Sequence, residues 1–295
     1  MSDPHPTHTI ACTQVHYLQS HHVGDEFKLF VATPWTPTMP GQKIPVIFAL
    51  DANAQFGTVV ETARSLQFGG ELPACYVVGI GYPSDQLLDI FALRSRDYTP
   101  TSSPSFETLY PQTMGSTARW QTGGAARFLR FIRDELKPWV GANLPDADPD
   151  DTTIAGLSFG GLFATYTLLN APDTFQRYIA CSPSLLYDGE VMLMQERELA
   201  EGRSDLSARV FMACGALESE EEMNKFLDTQ PPALKELLQR LWRPRMVELV
   251  LPFVEQLHQR GYPSLELEHM VFENEHHMSV YPAALSRGLR EVFKP

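Results

Sequence analysis

The chain has 295 residues, 43% hydrophobic and 20% charged, with a formal net charge of −13. That length fits one large α/β domain or two small ones. The acidic balance argues against nucleic acid and anionic membrane surfaces, both of which want basic patches, and no apolar run approaches the length needed to span a bilayer.

Two strand-like runs, Thr13–Leu18 and Phe27–Ala32, flank the turn-rich Ser20–Asp25 and predict a β-hairpin. After a proline-punctuated loop, Ile44–Leu50 is a continuous apolar run, as expected of a strand buried on both faces of a parallel sheet. It ends at Asp51-Ala52-Asn53, and a helix follows to about Phe68, then a second buried strand over Ala74–Gly81. Residues 82–119, rich in Pro, Ser and Thr, show no regular period and are expected to form a long functional loop. A helix is predicted from Gly124 to Leu136, with Ala125, Phe128, Leu129, Ile132 and Leu136 on one face. Further strands are expected over Thr152–Leu157, Gln176–Cys181, Ala208–Gly215 and Leu265–Phe272. Helices are expected over Gly160–Asn170 and Glu190–Glu201, around Leu234–Trp242, and from Pro244 toward His258 with a kink at Pro252. A terminal helix closes the chain. Alternating strands and helices predict an α/β fold with a mostly parallel central sheet and helices on both faces. No repeat or linker divides the chain; residues 1–8 are expected to be flexible and the rest one domain.

Four cysteines (Cys12, Cys75, Cys181, Cys214) are far apart and mostly set in apolar runs, which reads as reduced, buried small hydrophobes. Met1–Pro6 lack the basic-then-apolar pattern of a signal peptide, so the expectation is cytoplasmic, or periplasmic if a leader has been removed.

The chemistry centres on Gly156-Leu157-Ser158-Phe159-Gly160, a G-x-S-x-G pattern between a strand and a helix. In such an elbow a tight turn presents the serine hydroxyl above the sheet, small neighbours avoid collisions, and the helix N-terminus faces the developing oxyanion. A serine nucleophile needs a base to take its proton and an acid to orient that base. Both follow in the expected order. Glu218 lies just past a strand, and His276 and His277 lie in the loop after the last strand. Only one of the two histidines can face the serine. Glu220, Glu221 and Glu222 compete with Glu218 but resemble a solvated helix start; a Ser-His pair without a close acid is a further alternative. The oxyanion donors are expected to be the backbone N–H of Phe159 and that of Asn53, with Ala52 second, while Asp51 braces its loop. Adjacent histidines without spaced carboxylates or cysteines make a poor metal site, so no metal or organic cofactor is expected.

With these residues in view, the chain resembles the putative esterase (esterase D-like) branch of the α/β-hydrolases, most closely the siderophore esterases that open the trilactone of enterobactin. The likeness rests on Leu50–Asn53, Arg96–Thr101, Gly156–Phe163, Ser182–Leu185, Gly215–Glu218 and His277–Val280, and spans residues 10–295. It implies Ser158 as nucleophile and His277, which opens the His-x-Ser-Val piece, as base. Two departures stand out: Ala52 replaces a frequent glycine, and residues 223–244 look longer than the family core requires and could form a cap. There Leu238, Leu241 and Trp242 would shape substrate entry, or else pack on the core. Arg94 and Arg96 are candidate contacts for an anionic substrate, with an Arg96–Asp97 pair pinning the loop as the alternative. Leu185 and Tyr187 complete the candidate substrate contacts.

The expected activity is therefore that of a serine carboxylesterase acting through an acyl-enzyme on a small-molecule ester. Rival expectations are a feruloyl esterase, a thioesterase or an acyltransferase of the same fold, or a binding protein on an inactive scaffold. Nothing in the sequence fixes an oligomeric state.

Overall fold

A computed structural model describes residues 8–189, 191–241 and 245–294. The chain opens with the antiparallel hairpin β1 (Thr13–Gln19) and β2 (Glu26–Ala32). Six parallel strands follow: β3 (Ile44–Ala49), β4 (Tyr76–Gly81), β5 (Ala147–Leu157), β6 (Arg177–Cys181), β7 (Ala208–Gly215) and β8 (Leu265–Phe272). They join the hairpin in one sheet of order β1-β2-β4-β3-β5-β6-β7-β8. Every residue of β3 and β4 is buried, which is why those strands read as unbroken apolar runs rather than alternating ones.

Two helical layers cover the sheet. On one face α1 (Ala52–Phe68) and α11 (Val280–Val292) pack together through residues such as Val59, Ala63, Leu285 and Leu289. On the other lie α4 (Ala125–Phe131), α6 (Phe159–Asn170), α7 (Val191–Gly202) and α10 (Met246–Arg260). Helix α6 is buried all round except at Asn170, so its sequence is apolar without a polar stripe. The helix begun at α4 continues past the expected Leu136: a π-helical turn at Ile132–Leu136 leads into α5 (Lys137–Asn143). Helix α10 runs on through Pro252.

The expected long loop over residues 82–119 is instead two helices, α2 (Leu87–Tyr98) and α3 (Pro104–Thr113). Polar residues on the inward side of α2 hide its period: Arg94, Ser95 and Asp97 are buried together with Tyr98, and each polar side chain has an internal partner. In α3 the proline at 104 sits in the first turn, where its missing N–H costs nothing. Between β7 and α10 the structure has α8 (Glu220–Asp228) and α9 (Pro232–Leu241), one helix more than expected. Helix α9 lies against α3 with Leu234, Leu237 and Leu238 half-buried. Of the expected cap contacts, Trp242 lies outside the described residues. All four cysteines are free, and Cys12 is exposed, against the expectation that it is buried.

Candidate active site

The nucleophile turn is built from backbone strain and close approach. Ser158 joins β5 to α6 at φ 61°, ψ −117°, a conformation rarely adopted outside glycine. Three backbone hydrogen bonds hold it there: Ser158 N–H donates to Cys181 O at 3.0 Å, and its carbonyl accepts from Leu162 N at 2.8 Å and Ser184 N at 3.2 Å. A Cβ on Gly156 would come within 2.4 Å of the Gly160 backbone, and one on Gly161 within 2.7 Å of Cys181 O. The elbow therefore needs small residues at two separate contacts, one across the turn and one against β6.

Glu218 ends the short 3-10 turn Ala216–Glu218 after β7 and is 2% exposed. Its Oε1 lies 2.6 Å from His277 Nδ1, and its Oε2 accepts from Ser182 Oγ at 2.6 Å and Gly215 N at 2.7 Å. A carboxylate only accepts, so the bond to His277 puts the proton on Nδ1 and makes Nε2 the accepting nitrogen of the ring. Glu220, Glu221 and Glu222 start α8 at the surface, two of them paired with Lys225. His276 is exposed, and its backbone N–H donates to Ser279 Oγ at 3.1 Å, so the serine of the His-x-Ser-Val piece closes the turn that carries His277. Burial first, and then the neighbouring Glu218 carboxylate, push the Cys181 thiol well up, leaving it an uncharged packing group beneath the site.

The loop after β3 is equally constrained. Asp51, at φ 55°, precedes α1, and its carbonyl accepts from the N–H groups of Ala54 and Gln55. The N–H groups of Ala52 and Asn53 belong to the first turn, which has no intrahelical acceptors for them. Asn53 spends its side chain on the end of β4, accepting from Tyr82 N and donating to the carbonyls of Tyr82 and Ser84. Ala52, the departure from glycine, fits because β4 carries Gly79 opposite it, where a Cβ would lie 2.7 Å from that of Ala52.

These parts open on a cleft of about 390 Å³. Ser158 and His277 line its floor, the start of α1 (Asn53, Ala54, Gln55) one wall, and α2 and α3 the other. The α2 wall is Leu87, Ile90, Phe91 and Arg94, a 3–4 spacing that places them on one helical face; Tyr110 and Met114 of α3 continue it. At the rim Leu87 and Met278 are 61% and 67% exposed. Apart from Arg94, this wall was not anticipated from the sequence, although the spacing 87, 90, 91, 94 was there to be counted.

Of the expected substrate contacts among the described residues, only Arg94 lines the cleft. Its guanidinium is committed to Asp51, with Nε–Oδ1 at 2.7 Å and Nη2–Oδ2 at 2.9 Å, and packs over the rings of Phe91, Tyr98 and Phe159. Arg96 does not line the cleft: its three guanidinium nitrogens bind Asp97 and Asp25, tying α2 to the β1–β2 turn. Leu185 and Tyr187 are buried in the core behind the elbow, Tyr187 donating to Thr101 O at 2.7 Å. The Arg96–Thr101 stretch is thus a brace. Tyr98 Oη accepts from Asp51 N, and Thr99 Oγ1 joins Ser95 O to Gly123 N.

An eight-stranded sheet of this order, a strained serine between strand and helix, and a histidine–glutamate pair beyond later strands define the class: a serine hydrolase of the α/β-hydrolase type. The family model described as "Putative esterase" matches residues 94–242, and the chain belongs to that family. Among curated relatives, the ferri-bacillibactin esterase BesA of Bacillus subtilis is 30% identical over 293 residues, covering 97% of this chain and 91% of the relative. The siderophore triacetylfusarinine C esterase of Aspergillus fumigatus is 28% identical, covering 92% and 90%. Among solved structures, the BES protein from Bacillus cereus superposes with a TM-score of 0.77 at 26% identity over the full length of both chains. The protein is a carboxylic ester hydrolase.

Proposed function

We propose that the protein hydrolyses the ester bonds of siderophores, with Ser158 as nucleophile, His277 as general base and acid, and Glu218 as the orienting carboxylate. The observation that carries this reading is the 2.6 Å His277–Glu218 contact at the edge of an apolar cleft that also contains Ser158. Two relatives that match over most of the chain support it, one named a ferri-bacillibactin esterase and the other a siderophore triacetylfusarinine C esterase.

In the proposed reaction His277 Nε2 takes the Ser158 proton as Oγ attacks the ester carbonyl. The N–H groups of Phe159 and Asn53, each in the first turn of a helix, receive the oxyanion, and Asp51 with Arg94 holds the Asn53 loop in place. His277 then protonates the leaving alcohol, and water, activated by the same imidazole, releases the acid. Fixed in one tautomer, His277 stores the proton between the two steps while Glu218 compensates the imidazolium charge.

The test is hydrolysis of cyclic and linear siderophore esters, iron-free and iron-loaded, followed by chromatography of the products. Wild type is expected to release hydroxy-acid units that Ser158→Ala does not, with turnover lowered by about four orders of magnitude or more. Turnover of simple aryl esters with every siderophore ester left intact would overturn the substrate assignment. Loss of neither activity in Ser158→Ala would overturn the mechanism.

A further inference from the structure

The turn that follows β6, Ser182-Pro183-Ser184, contacts both ends of the catalytic set. Ser182 N–H donates to Ala213 O on β7 at 2.6 Å, and Ser184 N–H donates to the carbonyl of Ser158 at 3.2 Å. The turn therefore bridges the elbow on one side and the strand leading to Glu218 on the other. Within it Ser182 is fully buried and sits at φ 38°, in the region that glycine occupies without cost. Its hydroxyl donates a 2.6 Å hydrogen bond to Glu218 Oε2, and its contact with Cys181 Sγ is long, at 4.0 Å.

We propose that Ser182 is a positioning residue for the hydrolytic reaction, fixing Glu218 so that its other oxygen meets His277. This rests on the triad reading above. Glutamate has one more rotatable bond than the aspartate that often fills this role, and Glu218 ends a turn of only three residues. Backbone alone leaves its carboxyl free to swing. Two donors on Oε2, Gly215 N–H from its own segment and the Ser182 hydroxyl from the neighbouring strand, remove that freedom and leave Oε1 directed at Nδ1. A glycine at 182 would satisfy the backbone and lose the donor, so the strained serine is explained by what its hydroxyl does. Ser184 belongs to the same bracket: its hydroxyl is 3.4 Å from Ser158 Oγ, too long for a strong bond.

The variants Ser182→Ala and Ser182→Gly separate positioning from packing. Alanine deletes the hydroxyl and keeps the strain; glycine deletes the hydroxyl and relieves it. Both are expected to lower kcat about tenfold with KM unchanged, and the glycine variant to melt within a few degrees of wild type. Equal loss of kcat in two variants of different stability is the signature of lost orientation. The inference is overturned if kcat is retained in either variant, or if KM rises in step with the loss of kcat. Wild type is first labelled with a fluorophosphonate. Rapid labelling with unchanged kcat in the variants sinks the role of Ser182 alone, whereas absence of labelling sinks the triad reading and this inference with it.

Discussion

His277 and Glu218 are coupled by one bond, so the two oxygens of that glutamate have different duties. Oε2 is held by two donors of the surrounding fold, while Oε1 accepts the Nδ1 proton that keeps His277 in one tautomer. Glu218→Gln keeps the shape but turns one acceptor into a donor, which forces the wrong histidine tautomer or breaks the contact. Its kcat is expected to fall by about 10⁴ with a small change in KM, read by steady-state kinetics on an aryl ester. Arg94 offers a second test at this scale. With both side chains nearly buried, Arg94→Met leaves the Asp51 carboxylate without its partner, at a cost of about 3 kcal/mol. Because Asp51 caps the loop bearing Asn53, kcat is expected to fall more than KM rises. A specific loss of affinity for anionic esters, with neutral esters unaffected, would instead return Arg94 to the role of substrate contact.

Among the elements, the junction between the end of β7 and the loop bearing His277 has no slack. A Cβ on Gly215 would lie 2.2 Å from Glu275 O, and Leu217 N–H donates to that same oxygen at 3.0 Å. Gly215→Ala is expected to cost about 2–3 kcal/mol and lower the melting temperature by about 5 °C. The loss of kcat should exceed what that destabilisation explains, since the loop must shift with its histidine. At the cleft rim the opposite separation is expected. Leu87→Ser together with Met278→Ser should raise KM for an apolar ester about fivefold with kcat and melting temperature unchanged, because exposed side chains can hold substrate without supporting the fold. The sequence was legible where one physical rule dominated: strands buried on both faces, and the placement of Ser158, Glu218 and His277 just past β5, β7 and β8. It was opaque in α2, whose inward-facing Arg94, Ser95 and Asp97 find partners inside the protein in Asp51, the Phe91 carbonyl and Arg96, and so erase the apolar stripe. Arg96, Leu185 and Tyr187 were misplaced for a related reason. Nearness along the chain to a site element says nothing of side-chain direction: Leu185 and Tyr187 are buried in the core, and Arg96 turns to Asp25 and Asp97.

Across the whole molecule the net charge is −13, yet the cleft itself is walled largely by apolar residues. Among the described residues no helix is long and apolar enough to cross a membrane. The elements that carry the proposed site lie side by side in the order in which they are made: Ser158 from β5, Ser182 from β6, Glu218 from β7, His277 from beyond β8. Each reaches the next across one strand spacing, which is why so much of the catalytic set follows from strand order. That arrangement leaves the base on the outermost of the four, with β8 paired to β7 along one edge alone among the described residues. A border strand opens more readily than the interior. Under mild denaturant, hydrolysis should therefore fade before far-ultraviolet circular dichroism changes, and amides of Leu265–Phe272 should exchange with solvent ahead of those in β5. Inactivation then begins as a reversible peeling of one border, with the serine elbow still folded behind it.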